Sequence, residues 1–295
     1  MLQLAVVRAN PDEIIKRLAK KKFDAKDAVE KICVLDDERK ATQKQNDELL
    51  SKINSASKEI GALMKEGKKD ETENAKSSVA KFKEETKILT ERLAEIEKQL
   101  HDVLVRLPNL PADIVPEGNE PSDNVVVKEV GAKPNLSADA KPHWELIQQY
   151  DIIDFELGNK ITGAGFPLYK GAGAKLQRAL ISFFLDNAIA AGYLEIQPPL
   201  LVNADTGYGT GQLPDKEGQM YFVNEDGLYL IPTAEVPVTN IYRDVILKES
   251  DLPKKNCAYS QCFRREAGSY GKDVKGLNRL HQFDKVEIVR IEHPD

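Results

Sequence analysis

Two long stretches of regularly spaced residues limit the possible folds of this chain most. From Ala28 to Leu63, and again from Val79 to Leu107, seam residues recur at alternating intervals of four and three, and the first seam turns polar at its middle. That spacing is typical of a coiled coil. The segment from Gly61 to Asn74 separates the two seams and is predicted to reverse the chain. We therefore expect an antiparallel helical hairpin, stopped by Pro108, whose arms each reach on the order of 50 Å and project from the rest of the protein.

The segments on either side of this hairpin have a different character. Met1 to Val7 is predicted to form a short strand, and the Asn10-Pro11 pair is typical of a helix start. Beyond the hairpin, the chain is dense in proline, glycine and acidic residues, which indicates a linker, and Val125 to Val130 is predicted to form one strand inside it. The expected domains are a helical arm at 1–108, a linker at 109–142 and a mixed α and β core at 143–295.

Composition restricts the function classes. Of the 295 residues, 42 are Lys or Arg and 48 are Asp or Glu, so the net charge of −6 gives no overall sign of a polyanion partner, and RNA contact requires a local basic patch. The three cysteines lack a C-x-x-C pair, which predicts neither disulfides nor a zinc site. The N-terminus has no long apolar segment and nothing reaches membrane-spanning length, so we expect a cytoplasmic protein without a membrane partner.

A helix followed by a broken strand is predicted within 171–202. The helix from Gly171 to Gly192 carries an apolar stripe, and the strand after it, GYLEIQPPLLV, is interrupted by Pro198 and Pro199. The stripe consists of Leu176, Ala179, Leu180, Phe183, Phe184, Ala188 and Ile189. By itself, this pattern is an ordinary amphipathic helix beside an edge strand.

Glycine and turn signals organise the next forty residues. Gly207 to Pro214 is predicted to be a loop, and it lacks the G-K-[ST] ending of a phosphate-binding loop. Met220–Val223 and Leu228–Ile231 are predicted to pair as a hairpin. A helix to about Tyr242 should follow, with Thr233 as its N-cap and an acidic residue in its first turn.

A basic hairpin near the end of the chain is the strongest functional signal. Cys257 to Glu266 and His281 to Ile291 are predicted to be paired strands, and the connection from Ala267 to Leu280 is too long and too basic for a simple turn. Alternation places Arg264 with Glu266 on one face, and Phe283, Lys285 and Glu287 together on one face of the returning strand. A guanidinium, an aromatic ring and carboxylates suit a nucleotide together with an amino acid. A surface hairpin with ordinary ion pairs is the alternative.

The sequence of this hairpin resembles a known motif. FRxEAGS followed by GLxRxHQFxKVE is similar to the second signature motif of seryl-tRNA synthetases, which are class II aminoacyl-tRNA synthetases. The resemblance implies an antiparallel sheet core with flanking helices behind the coiled-coil arm, an α+β fold. It also implies activation of L-serine by ATP to seryl-adenylate and transfer to tRNA(Ser), with tRNA(Sec) as an open further acceptor.

The resemblance assigns roles residue by residue. Arg264 is the implied catalytic residue, which bridges the serine carboxylate and the α-phosphate. The implied ATP-binding residues are Arg264, Glu266, Arg279 and Phe283, and the implied serine-binding residues are Thr233, Ala234, Glu235, Arg264 and Glu287. Mg²⁺ is implied by ATP chemistry, although no metal ligands can be identified in the sequence.

Partners follow from the same resemblance. The family's N-terminal helical hairpin holds the long variable arm of its tRNA, so the lysines of the predicted arm have a plausible target, although their mixture with acidic residues is also typical of a solvated helix surface. They are Lys52, Lys58, Lys65, Lys68, Lys69, Lys76, Lys81, Lys83 and Lys87. The helix and strand at 171–202 resemble the first class II motif, which implies a homodimer.

Two departures from the family pattern were found. Lys272 stands where an arginine is expected, which keeps the charge but loses bidentate geometry. The chain ends at Asp295 without the glycine-rich third motif, so we expect a fragment that does not complete adenylation. Two other hypotheses stay open, namely a noncatalytic RNA-binding scaffold and an aminoacyl transferase that acts on a carrier protein, although the long arm disfavours the second.

Overall fold

The computed structural model describes residues 2–266 and 275–293. The chain forms two compact units, Met1–Gly131 and Ala132–Asp295. The domain boundaries expected from sequence remain a proposal.

The first unit begins with two short helices, α1 (Leu4–Ala9) and α2 (Pro11–Ala19). The strand predicted for Met1 to Val7 is therefore wrong. Val7 is fully buried in a cluster with Ile14, Leu18 and residues of the long helices, and packing against helices overrides the β preference of the two valines. The helix start predicted at Pro11 is confirmed.

Two long helices, α3 (Lys26–Lys65) and α4 (Lys69–Leu104), form the predicted antiparallel hairpin. Their 40 and 36 residues correspond to lengths of roughly 60 and 54 Å. The turn is much shorter than the predicted Gly61 to Asn74, because it needs only Glu66 to Lys68, with Gly67 at φ +73°. Gly61 lies inside α3, where helical packing tolerates it.

The base of the hairpin carries a buried carboxylate. Asp36 of α3 is 1% exposed, and its oxygens lie 3.2 Å from Arg8 Nε, 2.9 Å from Arg39 Nη2 and 2.7 Å from Lys40 Nζ. Burial alone would raise the pKa of Asp36, but hydrogen bonds from Lys40 and Arg39 outweigh it and the pKa is lowered. Because Arg8 belongs to α1, this cluster joins α1 to the arm.

Basic residues of α2 hold the segment that leaves the hairpin. Arg17 donates to the carbonyl of Pro111 (2.5 Å), Lys20 to that of Asp113 (3.1 Å) and Lys21 to that of Asn109 (3.0 Å).

The strand predicted at Val125 to Val130 is absent, and Val127 is 94% exposed. A single extended run without a partner strand has no ladder to join.

The second unit contains short elements around one long hairpin. In chain order they are α5 (His143–Tyr150), β1 (Ile153–Asp154), α6 (Phe155–Ile161), β2 (Leu168–Tyr169), α7 (Gly171–Ala190), β3 (Leu194–Glu195), β4 (Leu201–Val202), α8 (Ala204–Gly209), β5 (Phe222–Val223), β6 (Leu228–Leu230), α9 (Glu235–Asn240), β7 (Lys254–Phe263) and β8 (Gln282–Ile291). The sheets have the orders β1-β2, β3-β7-β8 and β4-β6-β5, and every pairing is antiparallel except β3 with β7.

Most elements predicted for this unit are confirmed. The helix within 171–192 forms α7, and the strand broken by prolines forms β3 and β4, which join different sheets. The hairpin of β5 and β6 turns at Gly227, whose φ is +66°. The start of the predicted 207–214 loop is instead helical, since Gly207 and Gly209 belong to α8, where a side chain on Gly209 would overlap Asn240.

The long hairpin pairs in register from Lys254 with Ile291 to Phe263 with Gln282. Its first strand ends three residues earlier than the predicted Glu266, because Glu266 has a left-handed φ of +47°, which breaks the alternation. Residues 267–274 lie outside the described part, and with them most of the predicted basic connection and the expectation for Lys272.

Candidate active site

Backbone hydrogen bonds bring the start of α9 beside the end of the long hairpin. The N–H of Phe263 donates to the carbonyl of Ile231 (2.9 Å), and the N–H of Arg264 donates to that of His281 (3.0 Å). Ile231 in turn donates to Leu200, which follows the proline pair (3.0 Å). Residues 232–235 therefore lie next to the open end of β7 and β8.

Arg264 and Phe283 lie on the same side of the sheet. The guanidinium carbon of Arg264 lies 5.0 Å from the centroid of the Phe283 ring, which is a cation–π contact. Arg264 also donates from Nε to the carbonyl of Pro232, at a long 3.4 Å. The cation and the ring thus share one surface, as alternation along β7 and β8 predicted.

A polar network continues along this surface. Thr233 Oγ1 donates to Glu287 Oε2 (2.7 Å) and accepts from Lys285 Nζ (3.0 Å) and from the backbone N–H of Glu235 (3.2 Å). Lys285 and Glu287 also form a close ion pair. The hydroxyl of Thr233 is consequently saturated, and it ties the turn before α9 to β8.

Small residues of β7 form the floor of this surface. Ala258, Ser260 and Cys262 are at most 2% exposed, and they pair directly with Glu287, Lys285 and Phe283. Directly opposite residues of an antiparallel pair share a face. Burial raises the pKa of the Cys262 thiol, so it remains a neutral, unreactive part of the floor.

Lys285 is a site residue whose role was not predicted from the sequence. Its place on the face of Phe283 and Glu287 was visible from alternation, but a lysine two residues from a glutamate is also an ordinary surface ion pair. The informative contact is with Thr233, which is 52 residues away in sequence. No local pattern contains that contact.

The two other residues expected to bind serine are placed differently. Ala234 is fully buried in a small cluster with Val238 and Ala258, so only its backbone could contact a ligand. Glu235 begins α9 with an exposed side chain and joins the network through its backbone N–H. The prediction of Thr233 as the N-cap is wrong, because α9 begins one residue later than expected: Ala234 is the N-cap and no side chain caps the helix, while within α9 the Thr233 hydroxyl contacts only the N–H of Glu235.

The remaining predicted ATP-binding residues pair with each other. Arg279 Nη1 lies 3.4 Å from Glu266 Oε2, and the side chain of Glu266 is 11% exposed while that of Arg279 is 52% exposed. The carboxylate of Glu266, within the motif, is thus partly neutralised by Arg279. About half of the Arg279 side chain remains accessible.

The opposite face of the hairpin holds α7. Asp284 accepts from Tyr259 Oη (2.5 Å) and from Gln177 of α7, and burial together with this bond raises the pKa of Tyr259. The apolar stripe of α7 points elsewhere. Leu176, Leu180, Phe183 and Phe184 are 46–58% exposed.

Within residues 2–266 and 275–293, no group of three or more His, Cys, Asp or Glu side chains could hold a metal ion. No helix there is long and apolar enough to cross a membrane.

Comparison with known proteins identifies the class first. Residues 221–295 match the tRNA synthetase class II core domain (G, H, P, S and T). The sheet, the hairpin and its basic and aromatic face are therefore those of a class II tRNA synthetase core.

The family follows from the whole chain. Residues 1–111 match the seryl-tRNA synthetase N-terminal domain. The serine--tRNA ligase of Salinibacter ruber is 47% identical over 295 residues, which are 100% of this chain and 69% of that protein, and that of Hydrogenobaculum sp. is 46% identical, with 100% and 70% covered. The chain belongs to the seryl-tRNA synthetase family, whose members ligate serine to tRNA.

Solved structures agree with this assignment. The seryl-tRNA synthetase from Pyrococcus horikoshii complexed with ATP has a TM-score of 0.81 and 30% identity, over 98% of this chain and 69% of that chain. The cytoplasmic serine-tRNA ligase from Naegleria fowleri in complex with AMP has a TM-score of 0.76 and 26% identity, over 100% and 67%. The predicted arm and α+β core are confirmed.

Proposed function

We propose that the surface carrying Arg264, Phe283, Lys285, Glu287 and Thr233 forms seryl-adenylate from L-serine and ATP, before the seryl group passes to tRNA(Ser). The observation that carries this proposal is the alignment of a cation–π pair with a saturated hydroxyl network along one face of the hairpin. Two relatives in the same fold are complexes with ATP and with AMP. tRNA(Sec) stays open as a further acceptor.

Arg264 would lower the main electrostatic barrier. A carboxylate oxygen of serine attacks the α-phosphorus, a new O–P bond forms, and the bond to the bridging oxygen breaks as pyrophosphate leaves with the electron pair. Both reactants are anionic, so a guanidinium between them reduces their repulsion and fixes the line of attack. Arg264 suits this role because it is always charged and can contact two oxygen atoms at once.

Phe283 would bind the adenine ring. Its ring already contacts the Arg264 guanidinium at 5.0 Å, so one flat surface can serve the base and the cation side by side. The hydrogen bond from Arg264 Nε to the carbonyl oxygen of Pro232 is long at 3.4 Å, so the guanidinium is free to turn toward the phosphates. Arg279 would then contact the outer phosphates, and Glu266 would orient Arg279.

The Thr233 network would recognise serine. The ammonium of serine needs a carboxylate, which Glu287 can supply, and the serine hydroxyl needs a partner whose loss penalises alanine. Lys285 neutralises Glu287 in this structure, so a bound serine ammonium would compete with the Lys285 ammonium. Ala234 would contribute through its backbone, and the carboxylate of Glu235 would stand at the rim.

Mg²⁺ fits this site only as a companion of ATP. Two carboxylates of the motif, Glu266 and Glu287, are already paired with Arg279 and Lys285. Mg²⁺ commonly binds through substrate phosphates and few protein groups. We assign no catalytic step to a metal held by this chain.

The partners expected from sequence belong to the same proposal. The lysines of α3 and α4 would contact the tRNA, and the exposed stripe of α7 would form the homodimer interface within 171–202. A cytoplasmic location is consistent with three cysteines that are all free.

Serine-dependent exchange of pyrophosphate into ATP tests the proposal in the full-length protein. Arg264→Ala should abolish exchange, and Arg264→Lys should retain only a small fraction of it, because lysine keeps the charge and loses the forked geometry. Arg290→Ala is the matched control, because it removes an arginine of β8 that lies outside the motif. Normal exchange by Arg264→Ala would refute the role of Arg264, and no exchange by the wild type would favour a noncatalytic RNA-binding protein.

A further inference from the structure

We propose that His143, at the start of α5, is a positioning residue that holds the segment carrying Arg279 in place for ATP. The inference rests on the function proposed for Arg279. A single histidine at a helix start carries no functional signal in the sequence alone. Its contacts in the structure are with residues 276 and 277, more than 130 positions away.

The first observation is a side-chain to backbone hydrogen bond. The N–H of Leu277 donates to Nε2 of His143 at 2.9 Å. Leu277 is partly buried and lies outside both strands, so its N–H has no ladder to join. The bond requires a lone pair on Nε2, which places the ring proton on Nδ1.

The second observation is how closely the backbone approaches the ring. Gly276 has φ +65°, and a Cβ at this position would overlap Nε2 of His143. Glycine is therefore required for conformation and for space together. Next to it, Lys275 Nζ lies 5.2 Å from the centroid of the Trp144 ring. Two consecutive residues of α5 thus contact three consecutive residues of the segment.

A second anchor lies four residues further on. The N–H of His281 donates to the carbonyl of Gly165 (2.9 Å), and the His281 ring stacks on Phe166 at 5.3 Å. Tyr221 Oη lies 2.6 Å from Nδ1 of the same ring. Gly165 has no space for a side chain beside His281.

Arg279 lies between these two anchors. Leu280 beside it is buried, while the Arg279 side chain is about half exposed and contacts Glu266. An arginine between two fixed points presents its guanidinium with less loss of conformational entropy on binding. Because both anchors come from residues 143–166, the region before α7 acts as a bracket for the ATP side of the site.

Substitution of His143 should affect one of the two substrates and not the other. His143 contacts neither Thr233 nor Glu287, which belong to the serine network. Loss of the His143 side chain should therefore weaken the binding of ATP and not that of serine. In the full-length protein we expect His143→Ala to raise the KM for ATP on the order of tenfold, as the loss of one hydrogen bond would, with the KM for serine within about twofold.

Two substitutions at His143 distinguish positioning from general stability. The amide of glutamine lies where Nε2 of histidine lies, whereas that of asparagine lies where Nδ1 lies and does not reach Leu277. His143→Gln should therefore restore the KM for ATP, and His143→Asn should behave like His143→Ala. Gly276→Ala should raise the KM for ATP in the same way, because it disrupts the same contact. Gln148→Ala, an exposed position on α5, is the matched control and should have no effect.

Amide hydrogen exchange separates this inference from the proposed function. In the 295-residue chain, residues 275–281 should exchange faster in His143→Ala than in the wild type, with rescue by His143→Gln. Equal exchange rates, an unchanged KM for ATP, or failure of glutamine to rescue would each overturn the role of His143. Absence of serine-dependent exchange in the wild type would instead refute the proposed function, and the hydrogen-exchange comparison would still decide whether His143 anchors the segment.

Discussion

The hydroxyl of Thr233 is the most constrained polar atom of the site. It donates to Glu287 and accepts from Lys285 and from the N–H of Glu235, and the residue is only 4% exposed. A buried hydroxyl with this many partners fixes the orientation of each partner. Its removal would leave Glu287 and Lys285, which already form a close ion pair, each without one hydrogen bond.

We expect Thr233→Val to raise the KM for serine by roughly 10-fold to 100-fold, with the KM for ATP nearly unchanged. Valine keeps the shape and removes the hydroxyl, and an unpaired buried polar partner costs about 1–3 kcal/mol. Steady-state pyrophosphate exchange at varied serine and varied ATP measures both constants. Thr233→Ser is the matched control, since it retains the hydroxyl, and it should stay within about threefold of the wild type. An equal rise of both constants in Thr233→Val would contradict the assignment of this network to serine.

Among the elements, α7 combines two different surfaces. One side bonds to the hairpin through Gln177 and Asp284, while another exposes Phe183 (58%), Leu176 (55%) and Phe184 (52%). Exposed aromatic and aliphatic side chains in one row along a helix are typical of an interaction surface. Together with the first-motif resemblance, they support the proposed homodimer.

We expect Phe183→Glu to weaken dimerisation at least about 30-fold, which corresponds to 2 kcal/mol, because a charge at an apolar contact must be desolvated. Sedimentation velocity over a concentration series measures this effect. Ser182→Glu is the matched control. Ser182 is exposed and lies about 100° around the helix axis from Phe183, so this substitution should leave the dimer intact. An unchanged association constant in Phe183→Glu would exclude this face of α7 as the interface.

The whole molecule divides the work between two compact units. The first contains the long arm, and the second contains the hairpin with its site. The base of the arm has its own core, which includes Val29, Ile32, Ile96 and Leu100, so the distal part can be removed without exposing that core. Each unit can therefore be altered separately.

We expect removal of residues 45–85, with a short glycine-rich turn in their place, to leave serine-dependent exchange within about twofold. Charging of tRNA should fall on the order of 100-fold, because several phosphate contacts are lost together. The ion pair between Glu38 and Arg92 is retained in this design. Insertion of two glycines into the turn at 66–68 is the control and should preserve both activities. Normal charging by the shortened protein would show that the arm is not the tRNA-binding element.

Patterns along the chain predicted the parts of this protein that depend on neighbours in sequence. The seam from Ala28 to Leu63 specified the arm, since a helix repeats every 3.6 residues and an apolar period near that value requires a partner helix. Alternation in β7 and β8 placed Phe283, Lys285 and Glu287 on one face. The sequence motif at 263–287 indicated the reaction and the roles of its residues.

Errors occurred where local preference and packing disagree. The valines near the N-terminus favour a strand, yet Val7 is helical because the cluster around it is built from helices. Gly207 and Gly209 favour a loop, yet they allow α8 to pack closely against Leu213 and Asn240. Local propensities are weak, and tertiary burial outweighs them.

Tertiary structure alone decided which distant residues meet. The hydroxyl of Thr233 reaches Lys285 and Glu287 across more than fifty residues, and His143 reaches Leu277 across 134. Such contacts leave no periodic trace, because the fold, and not the spacing along the chain, brings the two groups together. The sequence by itself thus determined the elements and the face of the hairpin that bears the chemistry, whereas packing determined the serine network and the bracket around Arg279.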